Sequence, residues 1–139
     1  MRKNGGRCLC GSVTYEYSGP ENWSGHCHCE SCRRSNSAAV VTFFGEPRAA
    51  YRFTGVTPDI YESSPGARGL FCSRCSTQMA YDADRYPGEI HFYAASLNNP
   101  NKFLPQFHVH YGERLDWLNV ADNLPRYETT ASRVNRPQD

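Results

Sequence analysis

Apolar and polar residues alternate along most of this chain with the period of a strand rather than of a helix. Val13, Tyr15 and Tyr17 alternate with Thr14 and Glu16, which predicts a half-buried strand. Residues 38–44, Ala-Ala-Val-Val-Thr-Phe-Phe, make a β-rich run expected to be buried on both faces, with Gly45-Glu46-Pro47 ending it. Shorter strands are predicted over 51–54, 60–63 and 78–81. Over 89–95 the alternation is clear, with Ile90 and Phe92 on one face and His91 and Tyr93 on the other. Phe107, Val109 and Tyr111 alternate with His108 and His110 and predict a last strand. Pro65-Gly66-Ala67 reads as a turn, 82–88 as a hairpin loop and 115–120 as a short helical turn. Many short strands between Gly/Pro turns predict a mainly β domain. Residues 129–139 are polar and aperiodic and are expected to form a disordered tail.

Composition narrows the picture. A length of 139 residues suits one domain, and an apolar fraction of 39% promises only a modest core. The formal charge of +1 gives no electrostatic reason to bind nucleic acid or a membrane surface. No run approaches the ~18 apolar residues that span a bilayer. Met1-Arg2-Lys3-Asn4-Gly5-Gly6-Arg7 is polar and lacks the features of a signal peptide. A cytoplasmic, reducing location is therefore expected.

The cysteines change the picture most. There are seven, an odd number, grouped as Cys8-Leu9-Cys10, Cys27-His28-Cys29-Glu30-Ser31-Cys32 and Cys72-Ser73-Arg74-Cys75. Clustered thiols in a reducing compartment point to metal or catalysis rather than to disulfides. A zinc–thiolate bond of ~2.3 Å puts tetrahedral sulfurs roughly 3.8 Å apart, within reach of CxC and CxxC pairs. Cys8, Cys10, Cys72 and Cys75 complete one set of four, a closed structural zinc that stabilises the fold. Gly11 permits the local bend that a CxC pair requires. Cys27, Cys29 and Cys32 make a set of three, as in a catalytic zinc with one open position. His26 or His28, or the distant His91, His108 or His110, would close it. Alternation in an extended loop disfavours His28 as that ligand. An open position on thiolate-rich zinc prefers sulfur, so the expected substrate is a thiol or a hemithioacetal derived from one. Arg33 and Arg34 follow directly; they either offset the charge and grip substrate carboxylates or form a solvated surface. Two zinc ions per chain are expected.

These same residues resemble a known family. Cys8-Leu9-Cys10-Gly11-Ser12-Val13-Thr14-Tyr15 resembles its CxCGxVxY motif, and Cys27-His28-Cys29-Glu30-Ser31-Cys32-Arg33 its CHCxxCR motif. Phe71-Cys72-Ser73-Arg74-Cys75 resembles its FCxxCG motif, Ser96-Leu97-Asn98-Asn99-Pro100 its SLDDP stretch, and Trp117 with Asp122-Asn123-Leu124-Pro125-Arg126-Tyr127 its closing W…DGLPxY segment. The family is that of glutathione-dependent formaldehyde-activating enzymes, which includes the centromere-protein-V-like proteins, and the resemblance implies one such domain over residues 5–128. The resemblance implies an Mss4-like fold of several small antiparallel sheets stapled by zinc. It implies a structural zinc at Cys8, Cys10, Cys72 and Cys75, a catalytic zinc at Cys27, Cys29 and Cys32, and glutathione as thiol partner. The implied activity is that of a carbon–sulfur lyase, joining formaldehyde and glutathione into S-hydroxymethylglutathione and reversing that step. Three positions depart from the pattern: Ser76 and Asn123 replace glycines, and Ser37-Ala38 replaces Gly-Ala.

A proton must move at the hemithioacetal hydroxyl, and His28, His91 and Tyr93 are the candidates. His28, Arg33 and Arg34 are expected substrate contacts. The competing reading is a zinc-stapled binding module for a thiol or a protein, which a fourth protein ligand on the second zinc would favour. Nucleic-acid binding is disfavoured by the balanced charge. A redox role for Cys72 and Cys75 lacks the βαβ setting it needs.

Overall fold

The computed structural model describes residues 3–130. Its strands are β1 (Lys3–Arg7), β2 (Thr14–Ser18), β3 (Trp23–Cys27), β4 (Val41–Pro47), β5 (Tyr51–Phe53), β6 (Asp59–Ser64), β7 (Ala67–Phe71), β8 (Gln78–Ala83), β9 (Glu89–Tyr93) and β10 (Phe107–Val109). One α-helix, α1 (Glu30–Asn36), follows β3. The mainly β expectation holds. The strands form a three-stranded antiparallel sheet, β1-β2-β5, and a seven-stranded sheet ordered β10-β3-β4-β9-β8-β7-β6. The larger sheet is antiparallel except where β10 runs parallel to β3.

Strand alternation decides what each face does. Phe44, Ile90, Phe92, Met79, Ala80 and Leu70 point from the large sheet toward Tyr15 and Tyr17 of the small one and Val13 just before β2, and together they form the main core. Tyr15 stacks on Phe92 with ring centroids 4.3 Å apart, a contact of about 1 kcal/mol beyond its buried area. The opposite face of the large sheet carries Trp23, Cys27, Val41, Phe43, Tyr93 and Phe107, a second cluster. The alternation of Ile90 and Phe92 with His91 and Tyr93 therefore separates the core from this second face.

Several expectations are corrected. Gly45-Glu46-Pro47 lies inside β4 rather than ending it. Gly45 is tolerated there because the Trp23 indole lies over it, where a Cβ would collide with the indole nitrogen. The expected last strand stops at Val109, because His110 takes a left-handed conformation with φ 52°. The short helical turn expected over 115–120 is a single turn, in which Leu118 N–H donates to the Leu115 carbonyl. Ser76 adopts the positive φ that the replaced glycine suggests, 68°, at a cost of ~1 kcal/mol. Ser37 does likewise at the end of α1, whereas Asn123 does not. Of the tail expected over 129–139, residues 131–139 lie outside the described residues; the Thr129 carbonyl accepts from His110 N–H at 2.6 Å. No helix among the described residues is long and apolar enough to cross a membrane.

Candidate functional site

Cys8 and Cys10 follow β1 of the small sheet, and Cys72 and Cys75 follow β7 of the large one. Gly11, at φ 83°, turns the chain directly after Cys10. At the second pair the turn closes through Ser76 N–H donating to the Cys72 carbonyl at 2.8 Å. The sulfurs converge: Cys8 and Cys10 Sγ lie 3.7 Å apart, and Cys10 and Cys72 Sγ 3.8 Å apart. That is the spacing of thiolates around a tetrahedral zinc. Val13 N–H donates to the Cys8 sulfur at 3.3 Å. The Thr77 hydroxyl at 3.2 Å holds the Cys75 thiol down at about 5, and the Ser12 hydroxyl likewise lowers Cys10. The four-thiol set is fit to hold a divalent ion and would tie the two sheets together.

The second cysteine group sits on the far face of the large sheet. Cys27 ends β3, and Cys29 caps α1, its sulfur accepting from Cys32 N–H at 3.3 Å. The helix α1 thus brings Cys32 back toward Cys27. The three sulfurs lie within 4.8 Å of one another, and no histidine or carboxylate joins them among the described residues. Contact between the thiols lowers Cys29 and raises Cys27 and Cys32.

Each histidine considered as a fourth ligand has a ring nitrogen paired with another group, and His91 and His110 also line a cavity beside the cysteines. His28 is buried, with Nε2 2.8 Å from Nδ1 of His108. His108 Nε2 in turn contacts the Asp122 carboxylate at 3.0 Å. His26 Nδ1 meets the Thr42 hydroxyl at 2.8 Å. His110 pairs with Glu113, and His91 with Glu89. His26, His108 and Asp122 also converge within 4.8 Å. Arg126 binds that same carboxylate at 2.8 Å, so a guanidinium already supplies the positive charge there.

Beside the three-cysteine corner opens a cavity of about 970 Å³. Register explains its composition. Trp23, Gly45, His91, Tyr81, Gly69 and Tyr61 fall in one row across β3, β4, β9, β8, β7 and β6. Phe107, Gly25, Phe43 and Tyr93 form the next row, and Val109, Cys27 and Val41 the third. The glycines open the floor between large rings. Tyr93 stands between the thiols and the far end of the cavity, and burial pushes its hydroxyl up to about 12.

The structure does not bring every expected residue to this cavity. Cys27, Cys29, Cys32, His91 and Tyr93 line it; His28, Arg33 and Arg34 do not. Arg33 donates to the backbone carbonyls of His28 and Glu113, and Arg34 pairs with Glu30 on the outer surface of α1. Arg85, Tyr81, Tyr86 and Glu89 were missed in the sequence. Arg85, Tyr81 and Tyr86 line the cavity, and Glu89 lies fully buried beneath His91. For Glu89 a signal existed: it sits two residues before His91 on the same face of an alternating strand.

Comparison with known proteins agrees with this geometry. The family described as "Glutathione-dependent formaldehyde-activating enzyme" matches residues 3–113. A Halomonas elongata protein, named provisionally as a glutathione-dependent formaldehyde-activating enzyme, is 24% identical over 125 residues, covering 83% of this chain and 79% of its own. A crystal structure of a Rhodobacter sphaeroides protein superposes with a TM-score of 0.57 at 19% identity, over 90% of this chain and 99% of that one, and so shares the fold. With most of its length matched and both cysteine groups assembled, the chain belongs to the glutathione-dependent formaldehyde-activating enzyme family.

Proposed function

We propose that the protein is a zinc-dependent carbon–sulfur lyase acting on a glutathione adduct such as S-hydroxymethylglutathione. The observation that carries this reading is the three-cysteine corner, which gathers three sulfurs and opens on a large cavity. Cys8, Cys10, Cys72 and Cys75 would hold a structural zinc, and Cys27, Cys29 and Cys32 a second one. The second zinc, when bound, supplies a Lewis acid that keeps an incoming thiol as its thiolate at neutral pH.

The chain's own residues do the rest. Cys27 on β3 and Cys29 and Cys32 at the start of α1 fix the corner against the sheet. Phe43, Phe107 and Trp23 keep the floor beside it apolar and limit water. The buried Tyr93 hydroxyl stays protonated at neutral pH and donates a hydrogen bond to an oxygen held beside the thiols. Cleavage of a hemithioacetal forms a carbonyl, returns the C–S electron pair to sulfur and releases the hydroxyl proton to water in the cavity mouth. Tyr93 stabilises that carbonyl oxygen as it forms or is consumed.

The test is exchange spectroscopy on mixtures of glutathione and formaldehyde with the zinc-loaded protein. Interconversion with S-hydroxymethylglutathione should be faster than in buffer, and Cys29→Ala should return it to the buffer rate. An unchanged rate with fully loaded protein would sink the assignment.

A further inference from the structure

A buried carboxylate lies behind His91 at the end of the cavity away from the cysteines. Glu89 is 1% exposed, yet three donors reach it: His91 Nε2 at 2.5 Å, Trp23 Nε1 at 2.8 Å and Asn22 Nδ2 at 3.3 Å. Burial opposes its charge, but these hydrogen bonds win and hold the carboxyl below its ordinary range. An ionised carboxylate only accepts, so the proton of His91 sits on Nε2. Nδ1 then carries a lone pair and has no hydrogen-bond partner among the described residues. The ring itself lines the cavity and is walled by Trp23, Tyr81 and Tyr86, with centroids 4.7, 6.0 and 4.7 Å away.

This arrangement is anionic with a free acceptor. It repels a carboxylate and receives an N–H or O–H donor, best of all a cationic one. A cation also stands at the same end: the Arg85 guanidinium lies over the Tyr86 ring at 5.0 Å and lines the cavity. An acceptor on an anionic support beside a guanidinium matches an α-amino-acid head, which carries an ammonium and a carboxylate on one carbon. The separation suits an extended ligand. His91 and Cys27 lie two strands and four residues apart on one face, or about 16 Å between Cα atoms.

We propose that the Glu89–His91 end of the cavity is a subsite for the α-amino-acid head of the thiol substrate, with His91 Nδ1 accepting from its ammonium and Arg85 taking its carboxylate. Glu89 is a positioning residue: it fixes the His91 tautomer and supplies the negative charge. Trp23 donates to the same Glu89 oxygen as His91 while Asn22 reaches the other one, and Gly45 leaves room for the indole to do so. The inference rests on the reading of the site as a thiol site and says which end of the thiol lies where. It predicts selection for thiols whose free α-amino group is remote from sulfur.

Two readouts on the metal-loaded protein test it. The first is titration of cobalt-substituted protein with glutathione and with N-acetylglutathione, following the thiolate-to-cobalt band. Both thiols should give the band, with N-acetylglutathione at least tenfold weaker; His91→Ala should weaken glutathione about tenfold and leave the acetylated thiol unchanged. Equal affinities for the two thiols on the wild type would overturn the subsite while leaving the thiol-binding reading intact. Absence of the band with either thiol would overturn both. The second readout is nitrogen-15 NMR of His91, which needs no variant. It should show the Nε2–H tautomer in the free protein and a shift of Nδ1 on adding glutathione but not N-acetylglutathione. An Nδ1–H tautomer, or the same shift with both thiols, would overturn the assignment.

Discussion

Glu46 predicts an unusual dependence of stability on pH. Its carboxyl is fully buried in β4 and neither oxygen has a hydrogen-bond partner among the described residues. Burial, with the nearby Glu21 carboxylate adding to it, pushes the group from an ordinary 4.5 up to about 8. The fold therefore keeps a proton that the unfolded chain releases above about 4.5. In that window unfolding liberates a proton, so stability falls as pH rises. The slope is about 1.4 kcal/mol per pH unit, roughly 5 kcal/mol in all by pH 8, beyond which both states are ionised. Glu46→Gln removes the titration while keeping the shape. Urea denaturation of zinc-loaded wild type and Glu46→Gln from pH 5 to 9 measures the difference directly, because metal binding and the other groups titrate alike in both. The wild type should lose stability relative to the variant by about 1.4 kcal/mol per unit until pH 8. Parallel curves would refute the buried, protonated carboxyl.

Three further outcomes follow from the packing. Gly45→Ala should cost about 1–3 kcal/mol by overpacking against the Trp23 indole, and should red-shift tryptophan fluorescence as the bond to Glu89 is lost. Cys72→Ala should lower zinc content by one and leave a protein that unfolds cooperatively only at much lower temperature, read by circular dichroism, because the four-thiol site joins the two sheets. Asp122→Asn should cost about 1–3 kcal/mol in urea unfolding, since the carboxylate accepts from His108, Leu124 N–H and Arg126 at once.

The two cysteine groups, which could hold metal ions, were legible in the sequence because their members come in short-spaced CxC and CxxC clusters. Spacing alone separated four cysteines from three. Strands with apolar alternation, such as Thr14–Ser18 and Glu89–Tyr93, were legible for the same local reason. Lys3–Arg7 and Trp23–Cys27 were not. Lys-Asn-Gly-Gly-Arg and Trp-Ser-Gly-His-Cys have little β propensity of their own, and both are strands because of what they pair with. Gly5 and Gly6 of the first lie where a Cβ would meet Tyr15 of the neighbouring strand, and Gly25 of the second where it would meet the Phe107 ring. The cavity is a property of rows that cross strands, so residues remote in sequence, such as Trp23, Tyr61, Tyr81 and His91, come together only through register. For the same reason Arg33 and Arg34, adjacent to the thiols in sequence, turn away on α1, while Arg85 reaches the cavity from the β8–β9 connection.

The proposed function requires that the seven thiols divide into a closed site of four and an open site of three. Zinc stoichiometry by elemental analysis, on wild type and on Cys29→Ala, with the cobalt spectrum recorded before and after adding glutathione, tests it most directly. Two ions per chain in the wild type, one in the variant and a glutathione-dependent change in the wild-type spectrum alone are the predicted results. One ion per chain in both proteins, with spectra indifferent to glutathione, would contradict the open site and leave a zinc-stapled binding module.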